Sequence, residues 1–161
     1  MIIDRFDGEY RWLSNFWPCE VTPQGEHTFE DTYRSAEHAY QASKCARSSE
    51  RLDVRAAPTP GQAKLMTRNM SLWSDWDDIK LVVMKEVVEA KFLQNPDLAQ
   101  KLIATGDAIL VEGNHWHDNY WGRCTCSKCV DILGKNHLGD ILMDVRSNFR
   151  RAINVYGTPK G

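Results

Sequence analysis

The stretch that decides the fold is Ser35-Ala-Glu-His-Ala-Tyr-Gln-Ala-Ser-Lys-Cys-Ala46. At about 100° per residue it predicts a helix with Glu37, Gln41 and Lys44 in one row and Tyr40 beside them. The opposite face carries only small side chains, which let another backbone approach closely. Because an ordinary surface helix buries large aliphatic side chains instead, the pattern indicates a buried helix that lines a polar site. A solvated charged stripe is the competing interpretation.

The composition is typical of one soluble globular domain. The chain has 161 residues, 42% hydrophobic and 26% charged, which predicts a single domain, 1–161, with one sizeable core. A net charge of −2 provides no general attraction to nucleic acid or to an anionic membrane. The sequence shows no secretory signal and no run of about 20 apolar residues, the length that crosses a bilayer. We therefore expect a cytoplasmic protein with no membrane contact.

Hydrophobic periodicity predicts a mainly α chain, α+β in class, with a small N-terminal hairpin. In that hairpin, a turn at Pro23-Gln-Gly25 joins the segments 19–22 and 27–30. Residues 47–61 are interpreted as a polar connecting segment. Further helices are predicted at 62–70, at 74–94 after a capping box, at 96–106, and from about 138 to 153. The tail from about Gly157 is expected to fray.

A second informative stretch is Glu112-Gly-Asn-His-Trp-His-Asp-Asn-Tyr-Trp-Gly122, which has no aliphatic side chain. Polar loops of this kind, held by a rigid scaffold, often carry sites. Three uses compete for it. Its two histidines with Asp118 could ligate a metal, its three aromatic rings could stack on a base or sugar, and Asp118 could act as a general base or stabilise a cation.

Three of the five cysteines crowd into Cys124-Thr-Cys-Ser-Lys-Cys129. Without an export signal, this pattern fits reduced thiols or a metal better than disulfides. Zinc normally takes four ligands and this stretch supplies three, so His117 or His137 would have to be the fourth. We expect a loop with free thiols here and no bound metal.

Five groups of motifs follow one another along the chain in the order that a known family shows. They are Leu13-Ser-Asn-Phe16; Ala36-Glu-His-Ala-Tyr-Gln-Ala-Ser-Lys44; Lys91-Phe-Leu-Gln-Asn-Pro96; Leu110-Val-Glu-Gly-Asn114 with His117-Asp118 and Tyr120-Trp-Gly122; and Asn136-His-Leu-Gly139 with Leu142-Met143 and Val145-Arg146. With them the chain resembles the NADAR or YbiA-like family from Phe6 to about Ile153.

The resemblance implies a compact, mainly helical fold and N-glycosidase activity on ribosyl-linked heterocycles. Members are linked to a phosphorylated intermediate of riboflavin synthesis, and others to removal of ADP-ribose from modified nucleic-acid bases. The resemblance suggests no metal for catalysis, and we expect no cofactor. The expected partner is therefore a ribosyl or ADP-ribosyl small molecule, or an ADP-ribosylated nucleic acid.

Three residues at matching family positions are the predicted catalytic residues. Cleaving an N-glycosidic bond builds positive charge on the anomeric carbon of ribose, which a nearby carboxylate stabilises. Glu37 and Asp118 are the candidate carboxylates for the stabilising and acid/base roles, and which takes which role stays open. Lys44 matches the family's lysine, and it could bind phosphate or attack the anomeric carbon as a Schiff-base lysine.

Nine further residues at motif positions are predicted to bind the substrate. Their amides suit sugar hydroxyls and base edges, and their rings suit stacking. They are Asn15, Phe16, Tyr40, Gln41, Asn114, His117, Trp121, Gly122 and Asn136. The alternatives are a core role for Tyr40 and a capping role for Asn136. At the level of function, the competitors are a module that binds ADP-ribose without cleaving it and a small zinc-stabilised interaction protein.

Overall fold

The computed structural model describes residues 1–157 and divides into two units. One unit is Asn15–Pro96, and the other joins Met1–Ser14 to the chain from Asp97 onward. The predicted fraying of the tail concerns positions beyond Gly157, which lie outside the described residues. That all 161 residues form a single domain stays a prediction.

Helices dominate the described part of the chain, with short strands between them. The helices are α1 (Ala36–Lys44), α2 (Ser48–Ala56), α3 (Pro60–Met66), α4 (Trp76–Gln94), α5 (Pro96–Ala104) and α6 (His137–Tyr156). The strands are β1 (Ile2–Ile3), β2 (Pro18–Val21), β3 (Tyr33–Ser35), β4 (Ile109–Leu110), β5 (Gly113–Asn114) and β6 (Arg123–Cys124). Three 3₁₀ helices lie at Gly8–Leu13, Thr67–Asn69 and Ser127–Cys129. The predicted mainly α, α+β class is confirmed.

Helix α1 is the buried centre of the unit Asn15–Pro96, where it packs against α2, α3 and α4. Eight of its nine residues, Ala36–Ser43, are buried. Ser35 is the N-cap residue of the helix, since its Oγ accepts a hydrogen bond from the backbone N–H of His38 at 3.1 Å. The alternative of a solvated charged stripe is therefore wrong.

The N-terminal hairpin is present, but its second strand differs from the prediction. β2 pairs antiparallel with β3, with Pro18 opposite Ser35 and Val21 opposite Tyr33. The segment 27–30 is not a strand because the chain turns there: Gly25 N donates to Thr28 Oγ1 at 2.9 Å. The observed register delivers Ser35 directly to the start of α1.

Most predicted helices are confirmed with shifted ends, and two local predictions are wrong. α2 was not predicted because Val54 is its only buried residue, so its apolar face is too narrow to show a helical period. The predicted capping box does not form: α4 begins at Trp76 with Asp75 as its N-cap residue, and no side chain caps it.

The other unit contains two pairs of parallel strands, and α6 packs against β4 of the first pair. β1 pairs with β4, and β5 pairs with β6. α6 approaches β4 so closely at Gly139 that a Cβ atom there would collide with the carbonyl oxygen of Leu110. Within residues 1–157, none of the helices combines the length and the apolar character needed to cross a membrane.

Candidate active site

The row on α1 forms a chain of short hydrogen bonds inside the protein. Gln41 Nε2 donates to Glu37 Oε1 at 2.7 Å. Thr67 Oγ1 in turn donates to Gln41 Oε1 at 2.7 Å. Glu37 is 6% exposed and Gln41 is 1% exposed. These bonds orient the Glu37 carboxylate, because the amide that holds it is itself held by a neighbouring element.

Lys44 closes the row at the C-terminal end of α1, next to two aromatic rings. Its Nζ lies 5.0 Å from the ring centroid of Tyr40 and 5.9 Å from that of Trp76. The two rings contact each other at 5.3 Å with an interplanar angle of 57°. Tyr40 therefore packs in the interior, as its alternative interpretation holds, while its ring also faces the ammonium group.

Burial lowers the pKa of Lys44 from its ordinary value. The Glu37 carboxylate acts in the opposite direction, and the Lys64 ammonium adds to the lowering. A lysine with a lowered pKa holds a larger fraction of neutral, nucleophilic amine at neutral pH. The same side chain in its protonated form would bind an anion.

Asn15 joins this row through its backbone, while its side chain contacts α4. Its carbonyl oxygen accepts a hydrogen bond from the backbone N–H of Glu37 at 2.9 Å. Its Nδ2 donates to Met84 Sδ at 3.3 Å, and the residue is 6% exposed. Phe16, the next residue, is 44% exposed, so its ring presents an apolar face to solvent.

In the other unit, Asp118 is fixed by the backbone of its own loop. Its Oδ1 accepts hydrogen bonds from the backbone N–H groups of Tyr120 at 3.0 Å and Trp121 at 2.9 Å. The buried Asn114 holds the loop from the other side: its Nδ2 donates to the Asp118 carbonyl oxygen at 2.7 Å, and its Oδ1 accepts from Asp118 N at 3.2 Å. The carboxylate is thus anchored through one oxygen.

Asn136 and Gly122 connect this loop to the start of α6. Asn136 is 1% exposed and has a φ of 57°. Its Oδ1 accepts from Glu112 N at 3.0 Å, and its Nδ2 donates to the Leu110 carbonyl at 2.9 Å. Gly122 has no room for a side chain, because a Cβ atom would collide with the Glu112 carbonyl oxygen. Both residues have a clear structural role, and their substrate contacts stay predictions.

Trp121 lies in a small aromatic group on this loop. Its ring contacts Tyr120 edge to face at 4.8 Å and lies 6.4 Å from His137. The backbone carbonyls of Tyr120 and Trp121 accept hydrogen bonds from His137 N and Leu138 N, which begin α6. The half-buried Trp121 ring is therefore positioned by the helix start.

His117 lies among the cysteines. Its Nδ1 is 3.3 Å from both Cys126 Sγ and Cys129 Sγ. Together with Cys124, these side chains could hold a metal ion, since their ligand atoms all lie within 4.8 Å of one another. Of the two candidate fourth ligands, the one in this cluster is His117, whereas His137 packs on Tyr120 at 4.6 Å.

Each unit thus brings together its own set of predicted site residues. The first set contains Asn15, Glu37, Tyr40, Gln41 and Lys44, and the second contains Asn114, Asp118, Trp121, Gly122 and Asn136. Thr67 and Trp76 join the first set and were not predicted. Thr67 follows the end of α3, and Trp76 begins α4. Residue spacing in a single sequence does not predict contacts between different helices.

Known proteins similar to this chain cover nearly all of it. The NADAR domain family model matches residues 4–150. An N-glycosidase of Nostoc punctiforme is 37% identical over 92% of this chain and 91% of the relative. The N-glycosidase YbiA of Escherichia coli K12 is 35% identical over 86% of this chain and 81% of the relative.

Two further similarities agree with these. A riboflavin biosynthesis protein of Vibrio vulnificus is 38% identical over 89% of this chain, which spans only 37% of that relative's length. The NMR structure of Escherichia coli YbiA matches with a TM-score of 0.78 and 30% identity, covering 99% of this chain and 89% of that one. The sequence motifs, the family model and the shared fold agree, and the chain belongs to the NADAR family.

Proposed function

We propose that the protein is an N-glycosidase that hydrolyses the bond between ribose and a nitrogen heterocycle. The observation that carries the proposal is the buried hydrogen-bond chain in which Glu37 and Gln41, on the same helix as Lys44, are joined by Thr67. A protein gains little stability from burying a carboxylate and an amine. Such a row is instead suited to chemistry that develops charge. The names of two similar proteins, both N-glycosidases, support the same reaction.

The Glu37 carboxylate is suited to stabilise the reacting sugar. As the glycosidic bond breaks, positive charge develops on the anomeric carbon and the ring oxygen. A carboxylate held by Gln41 at 2.7 Å needs little reorganisation to meet that charge. Water supplies a hydroxyl to the anomeric carbon, and the leaving nitrogen takes the proton, so the products are free ribosyl sugar and free base.

Asp118 supplies the second carboxylate of the proposed reaction. Its Oδ1 is anchored by two backbone N–H groups, which holds the group in one orientation. A carboxyl in a fixed orientation is suited to pass a proton to the leaving base or to accept one from water. The roles of Glu37 and Asp118 can be exchanged within this scheme.

Lys44 has two possible roles that make different predictions. As an anion anchor, its ammonium binds the phosphate of the substrate. As a nucleophile, its neutral amine attacks the anomeric carbon, the N-glycosidic bond breaks and the base leaves with a proton. The sugar ring then opens to a Schiff base, and water hydrolyses this imine to free sugar and the amine. The lowered pKa caused by burial favours the nucleophile. Reduction with cyanoborohydride during turnover would trap the Schiff base as a permanent mass increase on Lys44.

Two substrate classes share the ribose, phosphate and flat heterocycle that this chemistry needs. One is a metabolite, a ribosylaminopyrimidine phosphate of riboflavin synthesis, and the similarity to a riboflavin biosynthesis protein supports it. The other is an ADP-ribosylated guanine in nucleic acid. In either case the Trp121 ring is the proposed stacking surface for the base.

The experiment compares both substrates directly. The protein is incubated with an ADP-ribosylated guanine oligonucleotide, and separately with the ribosylaminopyrimidine phosphate, and released base and sugar are separated by chromatography. We expect stoichiometric release of both products from at least one substrate. No release from either one, by protein whose circular dichroism shows intact helices, would contradict the proposal. Tight binding without release would favour the non-catalytic ADP-ribose module.

A further inference from the structure

We propose that His117, Cys124, Cys126 and Cys129 form a structural zinc site. Their ligand atoms, one nitrogen and three sulfurs, all lie within 4.8 Å of one another. The proposal departs from the expectation of a metal-free loop and is independent of the N-glycosidase reaction.

The spacing of these atoms fits a tetrahedral zinc ion. Zinc bonds of about 2.3 Å to sulfur and about 2.0 Å to nitrogen, at tetrahedral angles, place sulfur and nitrogen about 3.6 Å apart and two sulfurs about 3.8 Å apart. The observed distance from His117 Nδ1 is 3.3 Å to both Cys126 Sγ and Cys129 Sγ. These two distances are slightly shorter than the ideal, and the spread of the whole cluster, within 4.8 Å, is wider, so the side chains have to adjust in both directions to admit the ion.

The identity of the ligands points to zinc and to a structural role. Three thiolates and an imidazole are soft and borderline ligands, a set that suits zinc rather than magnesium or calcium. Four protein ligands also fill the tetrahedron and leave no position for water or substrate, which distinguishes structural from catalytic zinc sites. All three cysteines are free thiols in the structure, so no disulfide competes for the sulfurs.

The backbone around the cluster is shaped to bring the ligands together. Cys124 is placed by the pairing of β6 with β5, and Cys129 ends the 3₁₀ helix Ser127–Cys129. His117 has a φ of 68°, in the left-handed region that few non-glycine residues adopt. A turn of this kind directs the imidazole back toward sulfurs that lie further along the chain.

The side chain of Asn119 supports one of the proposed ligands. Its Oδ1 accepts a hydrogen bond from the backbone N–H of Cys124 at 3.0 Å. Outer contacts of this kind orient metal ligands.

The segment after the cluster lacks an apolar anchor of its own. Val130, Ile132 and Leu133 are 77%, 52% and 83% exposed. A metal ion would hold this segment where buried aliphatic side chains do not. Because His117 directly precedes Asp118, the same ion would also hold one end of the loop that carries the proposed catalytic carboxylate.

The test begins with the metal content of the intact protein. The protein is expressed in zinc-supplemented growth medium and purified under reducing conditions. The amount of zinc per chain is then measured by inductively coupled plasma mass spectrometry. We expect about one zinc per chain in the wild type and in Cys19→Ser, a matched control because Cys19 lies outside the cluster on β2. Cys129→Ser and His117→Ala should each lose most of the metal. Full retention of zinc in both variants would overturn the proposal.

A second measurement avoids variants that fail to fold. The wild type is stripped with a chelator, kept reduced, and titrated with cobalt(II), whose thiolate complexes absorb strongly. We expect a sulfur-to-cobalt charge-transfer band that saturates at one equivalent and is displaced by zinc, with a rise in thermal stability. The absence of this band in folded, fully reduced protein would overturn the site.

Discussion

Helix α1 and the loop Glu112–Gly122 carry the same kinds of side chain, but they are held in opposite ways. In α1 the backbone satisfies itself, so Glu37 and Gln41 are free to hydrogen-bond to each other at 2.7 Å. In the loop, side chains satisfy the backbone: the polar atoms of Asn114 and Asp118 hydrogen-bond to backbone C=O and N–H groups. The comparison shows that Glu37 and Gln41 on α1 bond to other side chains, whereas Asn114 and Asp118 hold the backbone of their loop.

The largest effect should come from Lys44, at the end of the α1 row. Lys44→Met removes the ammonium or amine while keeping a long apolar stem beside Tyr40 and Trp76. We expect kcat to fall by roughly 10⁴-fold or more, the scale of losing a nucleophile. Steady-state release of base from the better substrate measures it.

The matched control for Lys44→Met is Lys64→Met. Lys64 is exposed and near enough to influence the pKa of Lys44, so this variant removes a neighbouring positive charge without touching the row. Its rate should stay within about threefold of wild type. Equal losses in the two variants would show that general charge, and not the row, supports activity.

Substitution of Asp118 should produce the next largest effect. Two variants separate the role of its negative charge from the role of its hydrogen bonds. Asp118→Asn keeps an oxygen for Tyr120 N and Trp121 N and removes only the negative charge. We expect a loss of roughly 10²- to 10⁴-fold in kcat with an unchanged melting temperature. Asp118→Ala should lose the same activity and also melt earlier. If Asp118→Asn kept full activity, the loop carboxylate would be purely structural.

A third prediction concerns stability in the loop's unit. Asn136→Gly removes the hydrogen bonds to Glu112 N and the Leu110 carbonyl, which leaves two backbone groups without partners. We expect a loss of roughly 2–4 kcal/mol in the free energy of unfolding. Asn136→Ala should lose about 1 kcal/mol more, since the φ of 57° disfavours a Cβ atom. Denaturant unfolding compares both variants with wild type. Equal stability of wild type and Asn136→Gly would contradict a stabilising role for the two Asn136 hydrogen bonds.

The same division between local and long-range contacts decides which features of the structure are predictable from sequence. The polar row on α1 follows from helical periodicity, which is a local property, so the prediction of a buried helix with Glu37, Gln41 and Lys44 along one side is confirmed. The predicted partner of β2 was wrong because strand pairing joins segments that are distant in sequence. The hydrogen bond from Thr67 to Gln41 was not predicted for the same reason. Sequence spacing offered His117 and His137 equally as the histidine beside the cysteines. The structure selects His117, whose φ of 68° is a local backbone feature that spacing does not predict.

The smallest predicted effect is a pH dependence from Lys91, which is fully buried on α4. Burial lowers its pKa to about 8 from an ordinary 10.5. Between these values the unfolded chain binds the proton and the folded chain does not, so the free energy of unfolding rises with pH there, by at most about 1.4 kcal/mol per pH unit. Below pH 8 both states are protonated and the contribution stops changing.

Lys91→Met isolates this contribution. The variant should be the more stable protein at pH 7, and its advantage over wild type should shrink as the pH rises from about 8 toward 10.5. Cys45, whose pKa burial raises to about 11, affects both proteins equally and cancels in the difference. A constant difference across that range would contradict a lowered pKa for Lys91.

The most direct test of the central claim is a paired measurement on Glu37→Gln. Glutamine keeps an acceptor for Gln41 and removes the charge, so ligand affinity should stay nearly unchanged. The account predicts that the Kd for ADP-ribose changes by less than about threefold while base release falls by roughly 10²- to 10⁴-fold. Release at the wild-type rate by Glu37→Gln would contradict a catalytic role for the buried carboxylate of α1.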